Sequence, residues 1–295
     1  MFLLKNNKSE SSFTHHLDLV IQPFFALLSV FAGVMLLFIV CFLLSEAWPV
    51  FAGGGWKSFF SSDGWYPLEG SFGLLPMVWS SIAIMLGAAV LAVPLGILSA
   101  VFVLYYAPPK LASAYRLLLN LLAGIPSVVF GLWGLTQIVP LIAKWQPPGA
   151  SLLAAILVLA LMILPTVAIT SIAAISAVPK SIITGTSALG MARKASILSI
   201  ILPAARSGIG SGALLATARA LGETMAVLMV AGNVVQNPSS LFNSVRALTS
   251  NIALEMAYAS DHHRASLFAS GLFLTALVVI LAWLAAKCEA YKSYA

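Results

Sequence analysis

Two charged residues, Arg219 and Glu223, stand inside an apolar stretch that is long enough to cross a membrane. Their spacing of four predicts that both side chains lie on one face of a helix, within reach of each other. Both are expected near the middle of the bilayer, where a charge costs at least about 2.5–3.5 kcal/mol on insertion scales. Such residues usually pair and face a bundle interior or an aqueous cavity, so a substrate path or gate is predicted here.

The guanidinium of Arg219 suits an oxyanion, because its planar fork donates two parallel hydrogen bonds to a planar or tetrahedral anion. With Glu223 nearby, passage of an anion is a better interpretation than tight storage, since the carboxylate can capture the arginine when the anion leaves. The alternative is an ion pair that only neutralises itself or joins this helix to a partner. The spacing leaves both interpretations open.

A second candidate segment, residues 180–205, is the most polar internal stretch of the chain. It alternates apolar with small residues, has Gly190 at its centre and ends in Leu202 and Pro203. It has enough apolar residues for a short helix but too few to insert, which is typical of a docking element for another protein. The alternative is a helix on the inner leaflet, with Arg193 and Lys194 against anionic headgroups.

A short helix over residues 248–257 is predicted to dip into the outer half of the bilayer. Its polar side chains would offer hydroxyl and amide donors to an anion arriving from outside: Thr249, Ser250 and Asn251.

The sequence predicts neither a metal site nor a nucleotide-binding site on this chain. The adjacent His262 and His263 are expected to be solvated in an exterior loop, and no metal site is predicted. The phosphate-binding pattern G-x-x-x-x-G-K-[ST] does not occur in the sequence, so energy for transport must come from a partner or from an ion gradient. We therefore expect no cofactor on this chain. If the energy comes from a partner, that partner subunit would use ATP.

The elements that must position these residues are membrane spans. With 61% hydrophobic and 8% charged residues among 295, the chain cannot be a water-soluble globule. Six apolar runs are predicted to cross the membrane, with Pro94 kinking the second: 24–44, 74–105, 117–142, 150–175, 208–230 and 265–286. The implied organisation is a tail over 1–23, the first helix, an aromatic and glycine-rich periplasmic linker over 45–73, a five-helix domain over 74–287 and a tail over 288–295.

Charge indicates the topology. An even number of spans puts both termini on one side, and most of the fifteen basic residues fall in segments on that side. Both termini are therefore predicted to be cytoplasmic, with lipid as the surroundings and no nucleic acid as a partner.

The end of the polar segment resembles the EAA-loop signature of binding-protein-dependent ABC importer permeases, in which a coupling helix docks onto the ATPase subunit. The match rests on four positions: Gly190, Ile200, Leu202 and Pro203. The family's glutamate position is Thr184 here, and its small residues fall on Gly185 and Thr186. This departure concerns a charge contact with the ATPase and not the docking itself.

A closer resemblance covers nearly the whole chain. It is carried by "RALGETMAV" from Arg219, "GN" at Gly232, and three further runs: "FGLLPMVWSS", "AVPLGI" and "AGIPSVVFGLWG". Together they resemble phosphate ABC importer permeases of the PstC type. The resemblance implies an all-α polytopic membrane protein with six transmembrane helices, the type I ABC importer permease fold and a cytoplasmic coupling helix. Arg219 and Glu223 match the family's charged pair linked to phosphate translocation.

The same resemblance implies partners and a location. These are a second, PstA-like permease, a dimeric PstB-like ATP-binding subunit and a PstS-like phosphate-binding protein, at the cell inner membrane. Three alternatives stay open: a permease for sulfate, molybdate or another oxyanion; an ion-coupled secondary carrier in which Glu223 titrates; and a membrane scaffold for a signalling kinase.

Overall fold

The structure is a computed structural model that describes residues 7–52, 59–61 and 64–290. Parts of the predicted tails and of the predicted linker lie outside these ranges, at residues 1–6, 53–58, 62–63 and 291–295. The described elements, in chain order, are α1 (Asn7–Ala52), β1 (Trp65–Tyr66), β2 (Ser71–Phe72), α2 (Leu75–Val101), α3 (Pro109–Gly124), α4 (Ser127–Trp133), α5 (Val139–Ala143), α6 (Leu152–Ser176), α7 (Lys180–Ala188), α8 (Arg193–Ser196), α9 (Leu202–Leu221), α10 (Met225–Val230), α11 (Leu248–Glu255) and α12 (Asp261–Ala290). Short π-helical turns extend α2 over Phe102–Tyr106, join α4 to α5 over Gly134–Ile138, and join α8 to α9 over Ile197–Ile201.

Five continuous helical segments in the described ranges are long and apolar enough to cross a membrane: Ile21–Ala52, Leu75–Tyr106, Leu152–Ser176, Arg193–Leu221 and Asp261–Lys287. A sixth crossing requires a bent pair, Pro109–Gly124 and Ser127–Ala143, whose axes differ by 94°. The prediction of a continuous third span over 117–142 is therefore wrong. Proline disfavours the helical conformation in the residue before it, and Ile125 accordingly has an extended backbone in front of Pro126.

Two prolines mark the second span. Pro94 lies inside α2 and does not end it. The span stops at Ala107, which has an extended backbone because Pro108 follows it.

Helices α2 and α6 form the centre of the bundle. Glycine permits their close approach: a Cβ at Gly96 would lie 2.7 Å from Val167 Cγ1, and one at Gly87 would lie 2.5 Å from Ile156 Cδ1. The main hydrophobic core surrounds this contact and includes Ile84 and Leu159.

Polar segments collect at the two ends of α2. The two-stranded hairpin of β1 and β2, with Trp65 opposite Phe72, packs at the start of α2 and defines the hairpin end of the molecule. Helices α7 and α8 pack at the other end of α2, which we call the α7 end. The span Leu75–Tyr106 has 32 residues, so about 48 Å separates the two ends at about 1.5 Å per residue.

Helix α1 packs antiparallel to α12 near the hairpin end. The rings of Phe42 and Phe268 meet edge to face at 5.7 Å, and Glu46 Oε2 lies 3.9 Å from Arg264 Nε. Farther from the hairpin, over residues 21–42, the side chains of α1 are exposed, as at Phe31. The far ends of α1 and α12, which lead to the two termini, therefore both lie toward the α7 end.

Candidate functional site

Arg219 and Glu223 do not share a helix. Helix α9 ends at Leu221, so Arg219 lies in its last turn, whereas Glu223 lies in a short non-helical break over residues 222–224. The prediction that both side chains share one helical face is wrong. Gly222 caps α9, and glycine has a low helix propensity, which accounts for the end of the helix here.

The two charges are also not paired. Among the described residues no ion pair joins Arg219 to Glu223, and the Arg219 side chain is exposed. Glu223 Oε1 instead accepts a long hydrogen bond of 3.4 Å from the backbone N–H of Ala226, in the first turn of α10. This conformation therefore does not contain the self-neutralising ion pair that was the alternative interpretation. The guanidinium of Arg219 is accessible to a ligand.

The short helix predicted after residue 248 is confirmed as α11. Thr249 Oγ1 donates a hydrogen bond of 2.9 Å to the backbone oxygen of Glu223, so α11 holds the break that follows α9. Ser250 and Asn251 are fully buried, and within the described residues Ser250 Oγ and Asn251 Nδ2 have no hydrogen-bond partner. In this conformation Thr249 contacts the break, while the other two predicted donors point into the protein.

A buried carboxylate that the sequence analysis missed lies at the end of α11. Glu255 is 6% exposed. Its Oε1 accepts a hydrogen bond of 2.7 Å from Arg246 Nη1, and its Oε2 accepts one of 2.6 Å from Trp65 Nε1 and lies 2.9 Å from His263 Nε2. We call Glu255, Arg246, Trp65 and His263 the Glu255 cluster.

The cluster corrects the expectation for the histidine pair. His262 is exposed, but His263 is largely buried, with its ring stacked on Phe72 at 5.9 Å. The described residues contain no group of three or more His, Cys, Asp or Glu side chains that could hold a metal ion. The sequence did contain a signal for this cluster: Glu255 is an acid in a helix predicted to dip into the membrane, and such an acid needs a partner.

Arg246 extends the cluster toward the loop between α10 and α11. Its Nε donates to the backbone oxygen of Asn233 at 2.9 Å, and its Nη1 donates to Asn251 Oδ1 at 3.0 Å. Asn233 has a positive φ of 56°, a conformation that asparagine tolerates better than most residues. One arginine thus joins this loop, the middle of α11 and its end.

The predicted docking segment forms a helical hairpin. Helix α7 ends at a Schellman cap: Gly190 has a φ of +70°, its N–H bonds to the oxygen of Ser187, and the N–H of Met191 bonds to the oxygen of Thr186 at 3.1 Å. The hairpin is closed by Ser196 Oγ, which donates to Thr186 Oγ1 at 2.8 Å. Thr184, Gly185 and Leu189 are exposed, the last at 81%.

The segment continues without a loop into the fifth span. The helix begins at Arg193 and not near residue 208, so Ile200, Leu202 and Pro203 lie in its first turns. The π-helical turn Ile197–Ile201 comes just before Pro203, which has no N–H to donate to a preceding turn. Arg193 Nη1 also donates to the backbone oxygen of Tyr105 at 3.1 Å, which ties the segment to the end of the second span.

The family comparison matches residues 92–289, which include α9, the break and residues 180–205, which we call the α7 segment. The matching family is described as the binding-protein-dependent transport system inner membrane component. The chain belongs to this family. It is a multi-pass membrane protein and the permease subunit of a transporter that has further components, as the sequence analysis predicted.

Named relatives and solved structures agree with this assignment. The chain is 40% identical over 204 residues to the probable ABC transporter permease protein YqgH of Bacillus subtilis, covering 68% of this chain and 66% of that protein. It is 30% identical over 304 residues to the phosphate transport system permease protein PstC of Pasteurella multocida, covering 95% and 94%. The inward-facing MetNI methionine ABC transporter superposes with a TM-score of 0.58 at 19% identity, over 74% of this chain and 95% of that one. The predicted fold of the type I ABC importer permeases is confirmed.

Proposed function

We propose that this permease is a subunit of an ATP-driven phosphate importer and forms half of the path for inorganic phosphate. The observation that carries the proposal is the similarity to phosphate transport system permease proteins, which extends over almost the full length of the chain. A second protein of that name, from Mesorhizobium japonicum, is 32% identical over 81% of this chain.

The proposed assembly has three kinds of partner. A PstA-like permease completes the path, a dimeric PstB-like subunit hydrolyses ATP, and a PstS-like protein delivers phosphate. The hairpin end faces the outside of the inner membrane and the α7 end faces the cytoplasm, so both termini are cytoplasmic. The positive charges of Arg193 and Lys194 at the α7 end support this orientation.

Arg219 is the proposed phosphate contact in the path. Its exposed guanidinium can donate two parallel hydrogen bonds to an oxyanion, whereas the partly buried carboxylate of Glu223 accepts a hydrogen bond from Ala226 in α10. The hydrogen bond from Ala226 to Glu223 is long, so little is lost when the carboxylate turns toward Arg219 after phosphate has left. Thr249 keeps the break in place, and Ser250 and Asn251 are proposed to meet phosphate only when α11 moves.

The α7 segment is the proposed contact with the ATPase. Its exposed positions include Thr184, Gly185 and Leu189. The helix from Arg193 to Leu221 has 29 residues and would be about 43 Å long at about 1.5 Å per residue. A displacement of α7 and α8 would therefore be carried along one continuous helix to Arg219.

The test is uptake of labelled phosphate into proteoliposomes that contain this chain with its co-purifying partners. We expect uptake to require ATP and to resist excess sulfate. Arg219→Ala should lower it about tenfold to a hundredfold, the loss of a charge-assisted hydrogen bond worth about 1.5–3 kcal/mol. Arg206→Ala is the matched control, because Arg206 is an exposed arginine on the same helix nearer the α7 end.

Three results would contradict the proposal. Uptake without ATP would indicate an ion-coupled carrier, and competition by sulfate would indicate another oxyanion as the cargo. Loss of the assembled complex in Arg219→Ala would show that the arginine has a structural role in place of a transport role.

A further inference from the structure

The Glu255 cluster connects elements that are far apart in the chain. Trp65 belongs to the hairpin, Arg246 to the loop before α11, Glu255 to the end of α11 and His263 to the first turns of α12. All three partners meet the two oxygens of one carboxylate within 2.9 Å. Removing that carboxylate therefore releases three elements at once.

A continuous series of contacts leads from this carboxylate to the break beside Arg219. Glu255 and Asn251, both on α11, are bound by the guanidinium of Arg246. At the start of α11, Thr249 binds the backbone of Glu223, and the N–H of Leu248 donates to Ser81 Oγ of α2 at 2.9 Å. Helix α11 is thus fixed at its end by the cluster and at its start by α2, and it holds the break through Thr249.

Burial strengthens these contacts. Glu255 is 6% exposed and Thr249 is 7% exposed, so both sets of hydrogen bonds are shielded from water. Oε1 of Glu255 has Arg246 as its partner, whereas Oε2 has both Trp65 and His263, so loss of Arg246 would leave a buried oxygen unsatisfied and loss of Trp65 would weaken the contact to the hairpin. The cluster therefore stabilises the position of α11 that this structure shows.

We propose that Glu255 is a positioning residue for transport, which acts on the substrate path without touching the substrate. Its carboxylate joins the hairpin and the start of α12 to α11, and α11 in turn sets the shape of the 222–224 break through Thr249. A change at the hairpin end, where a pocket of about 410 Å³ between Phe72, Asp261 and His262 adjoins the cluster, then reaches the path. The role of Glu255 in transport rests on the proposed function, whereas the contacts that join it to the break do not depend on that function.

The first experiment measures hydrogen–deuterium exchange of the intact complex. Trp65→Phe removes one N–H and keeps the ring on Phe72, which is 5.2 Å away. Tyr66→Phe is the matched control, because it alters the half-exposed neighbour on the same hairpin. Glu255→Gln keeps the size of the side chain but replaces one carboxylate oxygen by an NH₂ group, which cannot accept a hydrogen bond from the partners of that oxygen.

We expect Trp65→Phe and Glu255→Gln to accelerate exchange about tenfold in the peptide over 222–230, while Tyr66→Phe leaves it unchanged. Thr249→Val should accelerate exchange in the same peptide without loosening residues 64–72. Acceleration confined to the hairpin and to α11, with 222–230 unchanged, would overturn the proposal. If Glu255→Gln does not assemble, Trp65→Phe decides alone.

The second experiment measures phosphate uptake by the same variants. A positioning residue should lower the maximal rate severalfold and leave the half-saturating phosphate concentration unchanged, since it does not touch the substrate. Faster exchange over 222–230 with normal uptake would overturn the role in transport. A wild-type complex that transports no phosphate would refute the proposed function instead, and the exchange data would still decide whether the cluster positions the break.

Discussion

Gly190 is the residue whose backbone most restricts substitution in the α7 segment. Its φ of +70° lies in the left-handed region, and both hydrogen bonds of the cap depend on that conformation. A Cβ at this position would meet nothing within 4 Å, so the restriction comes from the backbone and not from packing.

We therefore expect Gly190→Ala to destabilise α7 by about 1–2 kcal/mol, the cost of a left-handed alanine. Hydrogen exchange at the amides of α7 should become about fivefold to thirtyfold faster in the intact complex. Gly185→Ala is the control, since Gly185 lies inside α7 with open space at its Cβ. It should slow the same amides, because alanine is the better helix former. Equal effects of the two substitutions would contradict the role of the cap.

The sequence identified some site residues and missed others for a physical reason. Arg219 and Glu223 were found because a charge in an apolar run is costly wherever it lies. Their separation was missed, since residues four apart are neighbours only if the helix continues, and it ends at Leu221. Glu255 was missed because its partners Trp65 and His263 come from segments whose meeting only the tertiary fold determines.

At the scale of elements, the contact between α2 and α6 depends on small residues. A Cβ at Gly96 would lie 2.7 Å from Val167 Cγ1 and 3.1 Å from the backbone nitrogen of Ala168. The backbone of α6 cannot move aside as a flexible side chain can, so the two helices would have to separate.

Gly96→Ala should therefore destabilise the permease by about 1–3 kcal/mol, the usual cost of overpacking a core. The apparent midpoint of thermal unfolding of the purified complex should fall by several degrees. Gly124→Ala provides the comparison, because a Cβ at Gly124 would meet nothing within 4 Å. Equal unfolding temperatures of the two variants would contradict the claim that the close approach of α2 and α6 requires glycine at position 96.

Hydropathy predicted where the chain is apolar better than where its helices begin and end. The run over 150–175 corresponds to α6, which is a continuous helix. The third run fails because Pro126 breaks it, and the fifth because the helix begins at Arg193 and ends at Leu221 in place of 208 and 230. Helix ends depend on caps and tertiary contacts, and the mean hydropathy of a segment carries no information about either.

At the scale of the whole molecule, the two polar regions lie at opposite ends of α2. The Glu255 cluster lies at the hairpin end, whereas Arg193 contacts Tyr105 at the α7 end. If α2 crosses the membrane, the two regions must be reached from opposite sides.

Cysteine labelling tests this arrangement. With Cys41 and Cys288 replaced by serine, Tyr258→Cys at the hairpin end and Lys110→Cys at the α7 end place thiols at exposed sites, and Lys110 lies outside the proposed ATPase contact. A membrane-impermeant maleimide added to the outside of intact cells should label position 258 and not position 110. Both should be labelled once the membrane is permeabilised, and the opposite pattern would reverse the proposed orientation.

The bare surface of α1 has a consequence for biogenesis. Its most apolar window has a mean hydropathy of 3.0, against 1.4 for the span from Arg193 to Leu221, and none of that window is buried in the protein. This part of α1 therefore needs only acyl chains around it, and α1 can be inserted before the spans that follow it in the chain. The later span, with its arginines, requires neighbours already in place. During synthesis α1 would thus serve as an anchor that holds the nascent chain at the translocon until the less apolar span has helices to join.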